Sequence, residues 1–299
     1  MLQKKAAICF SWQARTLDKC YEYIKLNILD QIWEQWKDYD IFCCTEDDKD
    51  AYKVDELLKP IINKKVKSSN IGKIIEEKYW ELIKRNYKDF IYPGTPRFNL
   101  KTCLQQFYKN KIVNEVKNKY WLENNIKYLY TIRLRFDILP IDKLNFENLN
   151  NKNITIIYDS LKDKNEINDM FAIWNKENMD IYYSIFDNCT DILSNFKISV
   201  SLYKKIIFFI EKQYVFLYWS IIKILETLNF SKIIIDNLFK IFATIQWSIL
   251  KDYKNKNIFY QEKMLLKTLN LNNIKIQKIK LNMFLVRENK YLNIFISKD

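Results

Sequence analysis

The chain contains no histidine. That absence removes zinc sites of the histidine type, and with them a histidine base or any Ser-His-Asp triad. Acid–base chemistry must then use Asp, Glu, Tyr, Lys or Cys. Glycine is nearly as scarce, with only Gly72 and Gly94 present. Two glycines cannot supply a GxGxxG turn or a Walker-A loop, so a Gly-rich phosphate cradle is excluded. With only 4 prolines as well, an all-β fold full of tight turns is disfavoured. The cysteines Cys9, Cys20, Cys43, Cys44, Cys103 and Cys189 form no CxxC pair. Cys9, Cys43 and Cys44 lie inside apolar runs, as expected of reduced core thiols. No secretory signal is read at the start, because Met1 to Lys5 leads straight into a short apolar strand. The expected location is cytoplasmic, with peripheral contact at the inner face of a membrane.

What is present describes a globular chain. Of 299 residues, 48% are hydrophobic and 28% charged, enough to build a substantial core and too apolar for disorder. The formal charge of +13 has two readings. One is an anionic partner such as nucleotide phosphates, nucleic acid or an acidic membrane. The other is the compositional bias of an AT-rich coding sequence, to which the abundance of Lys, Asn, Ile, Tyr and Phe also points. The lysines are spread along the chain without a dense basic block, which argues against a dedicated nucleic-acid binder.

Ala6 to Phe10 is a continuous apolar run, the mark of a buried parallel strand. Cys20, Tyr23, Ile24, Ile28, Ile32 and Trp36 then recur at helical spacing, which predicts a helix from about Leu17 to Trp36 capped by Thr16. A second buried strand follows at Ile41 to Thr45, making a right-handed βαβ unit. Further strands are expected at Ile61–Val66, Leu129–Leu139 and Asn153–Tyr158, with a short apolar one at Phe171–Trp174. Helices are expected over Ile71–Tyr87 and Leu100–Asn124, separated by the Pro93–Pro96 break, and another is capped by Asn175 and runs to Phe186. The tail predicts a helix near Gln261–Leu269 and strand-like stretches at Ile274–Val286 and Tyr291–Ile296. The fold class is therefore α/β, with a mostly parallel central sheet flanked by helices. With no internal repeat or linker, residues 1–299 read as one domain with a helical insertion at about 195–252. That insertion is rich in aromatic residues around 208–219 but is too often interrupted by charge to span a membrane. It reads either as packed helices or as a face resting on a membrane or partner.

Three groups could carry chemistry. Ser11, Gln13 and Arg15 follow the first strand, and ligands of open α/β sheets bind outside the carboxyl ends of strands. A hydroxyl, an amide, a guanidinium and a helix N-terminus together suit a base, ribose and diphosphate. The alternative is an ordinary polar loop with Arg15 in solvent. In Arg133-Leu134-Arg135-Phe136-Asp137, strand alternation puts Arg133, Arg135 and Asp137 on one face and Ile132, Leu134, Phe136 and Ile138 on the other. The polar face could hold a phosphate and a divalent ion, or could be a self-neutralising solvated surface. Asp169, before a buried strand, could serve as general base or orient an acceptor hydroxyl, or could simply be a turn residue. Asp48-Lys49-Asp50 is a literal DxD metal pattern, but it lies in an acidic turn after the second strand and reads as solvated.

Taken together, these segments resemble the glycosyltransferases of bacterial and viral capsule and surface-polysaccharide clusters. The turn Ser11-Trp12-Gln13-Ala14-Arg15-Thr16 resembles their SGQ-x-RT motif, and Asp40–Glu46 resembles a DIFIHTW strand. Gln105–Tyr120 resembles a long helix of that family. Ile132–Ile138 resembles an IR-x-RPDL strand, and Asn168–Ala172 resembles an NDQFA segment. The resemblance spans residues 6–187 and, more loosely, 258–288. It implies a GT-A-like (Rossmann-like) fold, a nucleotide-sugar donor, a glycan acceptor and a divalent metal, Mn²⁺ or Mg²⁺. By motif position it points to Ser11, Gln13 and Arg15 for the donor, to Arg135 and Asp137 for phosphate or metal, and to Asp169 for the acceptor side or the catalytic base; Arg133, on the same strand face, is expected with Arg135 at the donor, and Asp137 at the metal. The chain departs from the pattern at Trp12, which replaces Gly, at Phe136, which replaces Pro, and at Gln261, which replaces the Pro before Glu262. A non-catalytic glycan-binding or membrane-associated scaffold is the alternative.

Overall fold

A computed structural model describes residues 5–89, 100–146, 153–158, 169–194, 220, 261–280 and 283–286. The chain divides into two compact units: residues 1–83, 100–193 and 261–299 form the first, and residues 84–99 and 194–260 the second. Nearly all described elements belong to the first. The second contributes only the end of one helix, Ser194 and Ser220 to the described residues. The expected insertion, its aromatic stretch, the Pro93–Pro96 break and the strand-like 291–296 stretch thus lie outside them.

The chain order is β1 (Lys5–Trp12), α1 (Leu17–Ile24), α2 (Asp30–Trp36), β2 (Tyr39–Glu46), β3 (Ile62–Val66), α3 (Ser68–Asp89), α4 (Leu100–Asn124), β4 (Tyr128–Arg135), β5 (Ile138–Pro140), β6 (Ile154–Tyr158), β7 (Phe171–Trp174), α5 (Lys176–Tyr183), α6 (Cys189–Ser194), α7 (Gln261–Leu271), β8 (Ile276–Lys280) and β9 (Met283–Leu285). Seven strands form one sheet in the order β3-β2-β1-β4-β7-β6-β8. Only β7 runs against its neighbours. The α/β class and the mostly parallel, helix-flanked sheet expected from the sequence are both present.

The two faces of the sheet differ in chemistry. Ala6, Ile8 and Phe10 of β1, Ile41 and Cys43 of β2, Ile132 and Leu134 of β4, and Phe171 and Ile173 of β7 form one apolar cluster with Leu17, Cys20, Ile24, Ile28 and Ile32. The alternate residues Cys9, Ser11, Thr131, Arg133 and Arg135 are buried as well. They meet the buried polar stripe of α4, with Ser11 bonded to Asn110 and Thr131 to Lys117. The solvated-face alternative for β4 is thereby overturned, because those residues are buried.

Three local expectations need correction. The predicted helix over 17–36 is interrupted by a π-helical turn, Lys25–Leu29, which buries Asn27. Its amide donates to the carbonyls of Pro140 at 2.9 Å and Ile141 at 3.3 Å, satisfying backbone that the end of β5 leaves unpaired. Thr16 makes no side-chain cap; its hydroxyl donates instead to the Val286 carbonyl at 3.2 Å. The strand expected over Leu129–Leu139 is two strands. A turn at Phe136–Asp137 ends β4 and sends β5 into a separate pair with β9. Asp137 therefore sits in a turn, where its carbonyl accepts from Val286 N at 2.9 Å. By contrast, the cap at Asn175 is as expected, accepting from Asn178 N at 3.1 Å.

No disulfide joins the six cysteines, and all are buried. Among the described residues, no helix is long and apolar enough to cross a membrane.

Candidate functional site

Strands β1, β2 and β4 are parallel neighbours, so their carboxyl ends share one edge. Register places Ser11 beside Cys44 on one side and Arg135 on the other. The antiparallel β7 begins at the same edge, because Leu134 pairs with Phe171. Asp169, two residues before Phe171, is therefore carried to Arg135. The topology thus assembles four of the expected residues from separate segments.

At the centre Arg135 holds Asp137 through two hydrogen bonds, Nε to Oδ1 and Nη2 to Oδ2, each 2.8 Å. This bidentate geometry is the strongest form of the pair. Arg135 Nη1 lies 3.4 Å from Asp169 Oδ2. The same oxygen accepts from Gln106 Nε2 of α4, and Arg133 Nη2 stands 4.0 Å from it. All four ionic residues are shielded from solvent: Arg133 is 0% exposed, Arg135 4%, Asp137 5% and Asp169 6%. Arg133 is the unusual member. Its guanidinium nitrogens have no hydrogen-bond partner among the described residues, a costly state for a buried charge.

A second layer lies beside the first. Ser11 Oγ donates to Asn110 Oδ1 at 2.5 Å. Gln13 Nε2 donates to Glu46 Oε2 at 2.7 Å, and the other Glu46 oxygen accepts from Lys109 Nζ at 2.5 Å and Ser68 Oγ at 2.7 Å. Burial alone would raise the Glu46 carboxyl. The Lys109 ammonium and the Ser68 and Gln13 donors outweigh it and hold the group below the ordinary carboxylate range. Arg15 is exposed and donates to Gln13 Oε1. Its expected place beside Arg135 and Asp137 is thus not observed: it reaches the cluster only through Gln13 and Glu46.

Trp12 links the two layers. Lys109 Nζ lies 5.0 Å and Arg135 Cζ 5.1 Å from the centroid of its ring, both within cation–π range. Its φ of 125° falls in a region that favours glycine. A bulky residue held so costs about 1–3 kcal/mol.

The polar layer continues under β1 and β4. Lys117, 1% exposed, donates to Thr131 Oγ1 at 3.3 Å and lies 4.0 Å from Asp180. Burial lowers its ammonium below the ordinary lysine value, only partly offset by Cys9 and Asp180.

At Asp137, where a metal is expected, the carboxylate is already paired. Both Asp137 oxygens are committed to Arg135, and no group of three Asp, Glu, Cys or His ligands occurs among the described residues. The Asp48-Lys49-Asp50 turn is structural: Asp48 accepts from Asp50 N at 2.9 Å. Asp50 is buried against Lys53 at 2.9 Å rather than solvated as expected.

Sequence reasoning missed Trp12, Glu46, Gln106, Lys109 and Asn110 as site residues. A signal for two of them, Gln106 and Asn110, was available. Cys103, Gln106, Phe107, Asn110, Val113, Asn114 and Lys117 follow one helical stripe. Polar residues placed within such a stripe are the informative exception to apolar burial.

No protein-family model and no curated protein matches the chain. Among solved structures, mouse xyloside xylosyltransferase 1 in its apo form is similar to it with a TM-score of 0.33 and 10% identity, covering 62% of this chain and 75% of that one. The apo form of the glycosyltransferase GlyE from Streptococcus pneumoniae TIGR4 has a TM-score of 0.32 and 10% identity, covering 68% of this chain and 41% of that one. A further GlyE structure has a TM-score of 0.31 and 10% identity, with 66% and 41% covered. The chain spans about two fifths of the length of GlyE.

Proposed function

We propose that this protein is a GT-A-like glycosyltransferase that moves a sugar from a nucleotide-sugar donor to a surface-glycan acceptor of the capsule or lipopolysaccharide type. The observation that carries this reading is the gathering of Arg133, Arg135 and Lys109 with Asp137 and Asp169 at the carboxyl edge of β1, β2 and β4. That edge is where open α/β sheets bind their ligands, and the cations there suit a diphosphate.

In an inverting transfer, the acceptor hydroxyl oxygen forms a bond to the anomeric carbon. The bond from that carbon to the diphosphate breaks, and its electron pair leaves on the diphosphate. Arg135 and Lys109 stabilise the departing charge. The acceptor proton passes to Asp169, whose Oδ2 must first release Gln106 or Arg135. Gln13 and Ser11 border the donor.

The direct test is a thermal-shift screen of nucleotide-sugars, because a ligand bound only to the native state raises the melting temperature as ln(1 + [L]/Kd). A donor that stabilises wild type but not Arg135→Gln is expected. If none stabilises wild type at millimolar concentration, the reading fails. One observation favours a second reading, a non-catalytic glycan-binding scaffold: arginine and glutamine already occupy both carboxylates of the cluster. Donor binding without turnover or hydrolysis selects that reading. Peripheral membrane contact through residues 195–250 belongs to either reading and is tested by vesicle flotation.

A further inference from the structure

We infer that Trp12 is a self-made cover over the anion site, its indole occupying the Lys109 and Arg135 cations until an anionic ligand displaces it. The inference rests on the proposed donor site and adds how that site is closed and opened.

Three observations meet at this residue. The ring engages both cations at once, Lys109 Nζ at 5.0 Å and Arg135 Cζ at 5.1 Å from its centroid. These are the two positive groups best placed to meet a diphosphate, and in this state the π-face of an aromatic ring substitutes for it. Next, the residues beneath are closed off, with Arg135, Asp137 and Asp169 all at 6% exposure or less, whereas Trp12 itself is half-buried. Something at this edge must move before a ligand reaches them. Finally, Trp12 holds a φ of 125° at the last position of β1. A tryptophan resists this conformation, so leaving it relieves the backbone. The cover is held by contacts to the cations that the ligand would take and by packing against the apolar cluster, while its own backbone favours release. An anion competing for Lys109 and Arg135 therefore removes the polar half of what holds the ring in place.

A cover competes with the ligand, so removing it strengthens anion binding. A stacking platform would do the opposite to a nucleotide, and a bystander would do nothing. The test titrates UDP and inorganic pyrophosphate into wild type, Trp12→Gly and Trp12→Phe by calorimetry, with folding checked by circular dichroism. Trp12→Gly is expected to bind both probes about tenfold more tightly than wild type, reflecting the loss of two cation–π contacts that the ligand must otherwise displace. Trp12→Phe, which keeps a smaller ring, is expected to fall between, and it stands in if the glycine variant does not fold. Unchanged affinity for both probes overturns the inference while leaving the donor site intact. UDP bound more weakly by Trp12→Gly with pyrophosphate unchanged also overturns it, in favour of base stacking. If no variant binds either probe at millimolar concentration, the donor-site reading fails and the cover falls with it.

Discussion

Glu46 Oε1 receives the Lys109 ammonium at 2.5 Å, joining the carboxyl end of β2 to the middle of α4. Lys109 is 1% exposed, so removing its partner leaves a buried cation. Glu46→Gln is expected to cost about 3–5 kcal/mol, the range for breaking a buried pair from one side. The pair also sets a pH dependence. Because the folded Glu46 carboxyl lies below its unfolded value of 4.5, its contribution is complete above pH 4.5 and is lost as pH falls through the lower, folded value. Melting temperature measured from pH 7 to pH 3 should fall less steeply at the acid end for Glu46→Gln than for wild type. Parallel curves would show that the pair contributes nothing.

Lys117 has the opposite sign. Burial depresses its ammonium, so the unfolded chain holds a proton that the native state resists over the window below 10.5. The penalty is full below the folded value and disappears as pH rises past the unfolded one. Lys117→Met is expected to stabilise the protein by about 1–3 kcal/mol at pH 7, with Asp180 still held by Lys176 at 2.9 Å and Asn114 at 2.8 Å. The gain over wild type should shrink as pH approaches 10.5. A gain independent of pH would mean that packing, not charge, is responsible.

Two of the three arginines offered by the sequence should separate in activity. Arg135 makes bidentate contact with Asp137 and reaches Asp169, whereas Arg15 is exposed and meets Gln13. Arg135→Gln is expected to lower transfer by about 10²–10³-fold, the usual effect of losing a preorganised charge donor. Arg15→Gln, bonding only through an exposed pair, should change it by about threefold or less. Equal losses in steady-state assays would restore Arg15 to the donor site.

Divalent ions provide a further discrimination. Since Asp137 gives both oxygens to Arg135, a donor should raise the melting temperature equally in Mn²⁺ and in EDTA. Stabilisation that requires Mn²⁺ would establish the ion that the sequence resemblance implies.

What was legible in the sequence follows from periodicity. Continuous apolar runs such as Ala6–Phe10 mark strands buried on both faces, and the Asn175 cap marks the start of α5. Arg135, Asp137 and Asp169 could be named as candidates because charged residues stood out beside apolar strands. The contacts of Trp12 and the Glu46–Lys109 pair could not be read, since both arise from α4 crossing over β1 and β2, a tertiary event with no local signature. The split of β4 from β5 was hidden for a related reason. Alternation continues unbroken through Phe136 and Asp137, yet the chain changes sheets there because β9 offers Ile138–Pro140 a partner. Arg15 was misplaced because loop position fixes which edge a side chain approaches, and leaves open whether it turns toward the cluster or toward water.

The unlike faces of the central sheet divide labour within the molecule. The apolar cluster lies on the side under α1 and α2, while the side under α4 mixes buried charge at Arg133, Lys109 and Lys117 with apolar residues such as Phe42, Phe107 and Val113. Replacing a charged residue on the inner stripe of α4 therefore strips a partner from the strand it faces, as at Glu46–Lys109 and Thr131–Lys117, while the apolar layer on the opposite face is left intact.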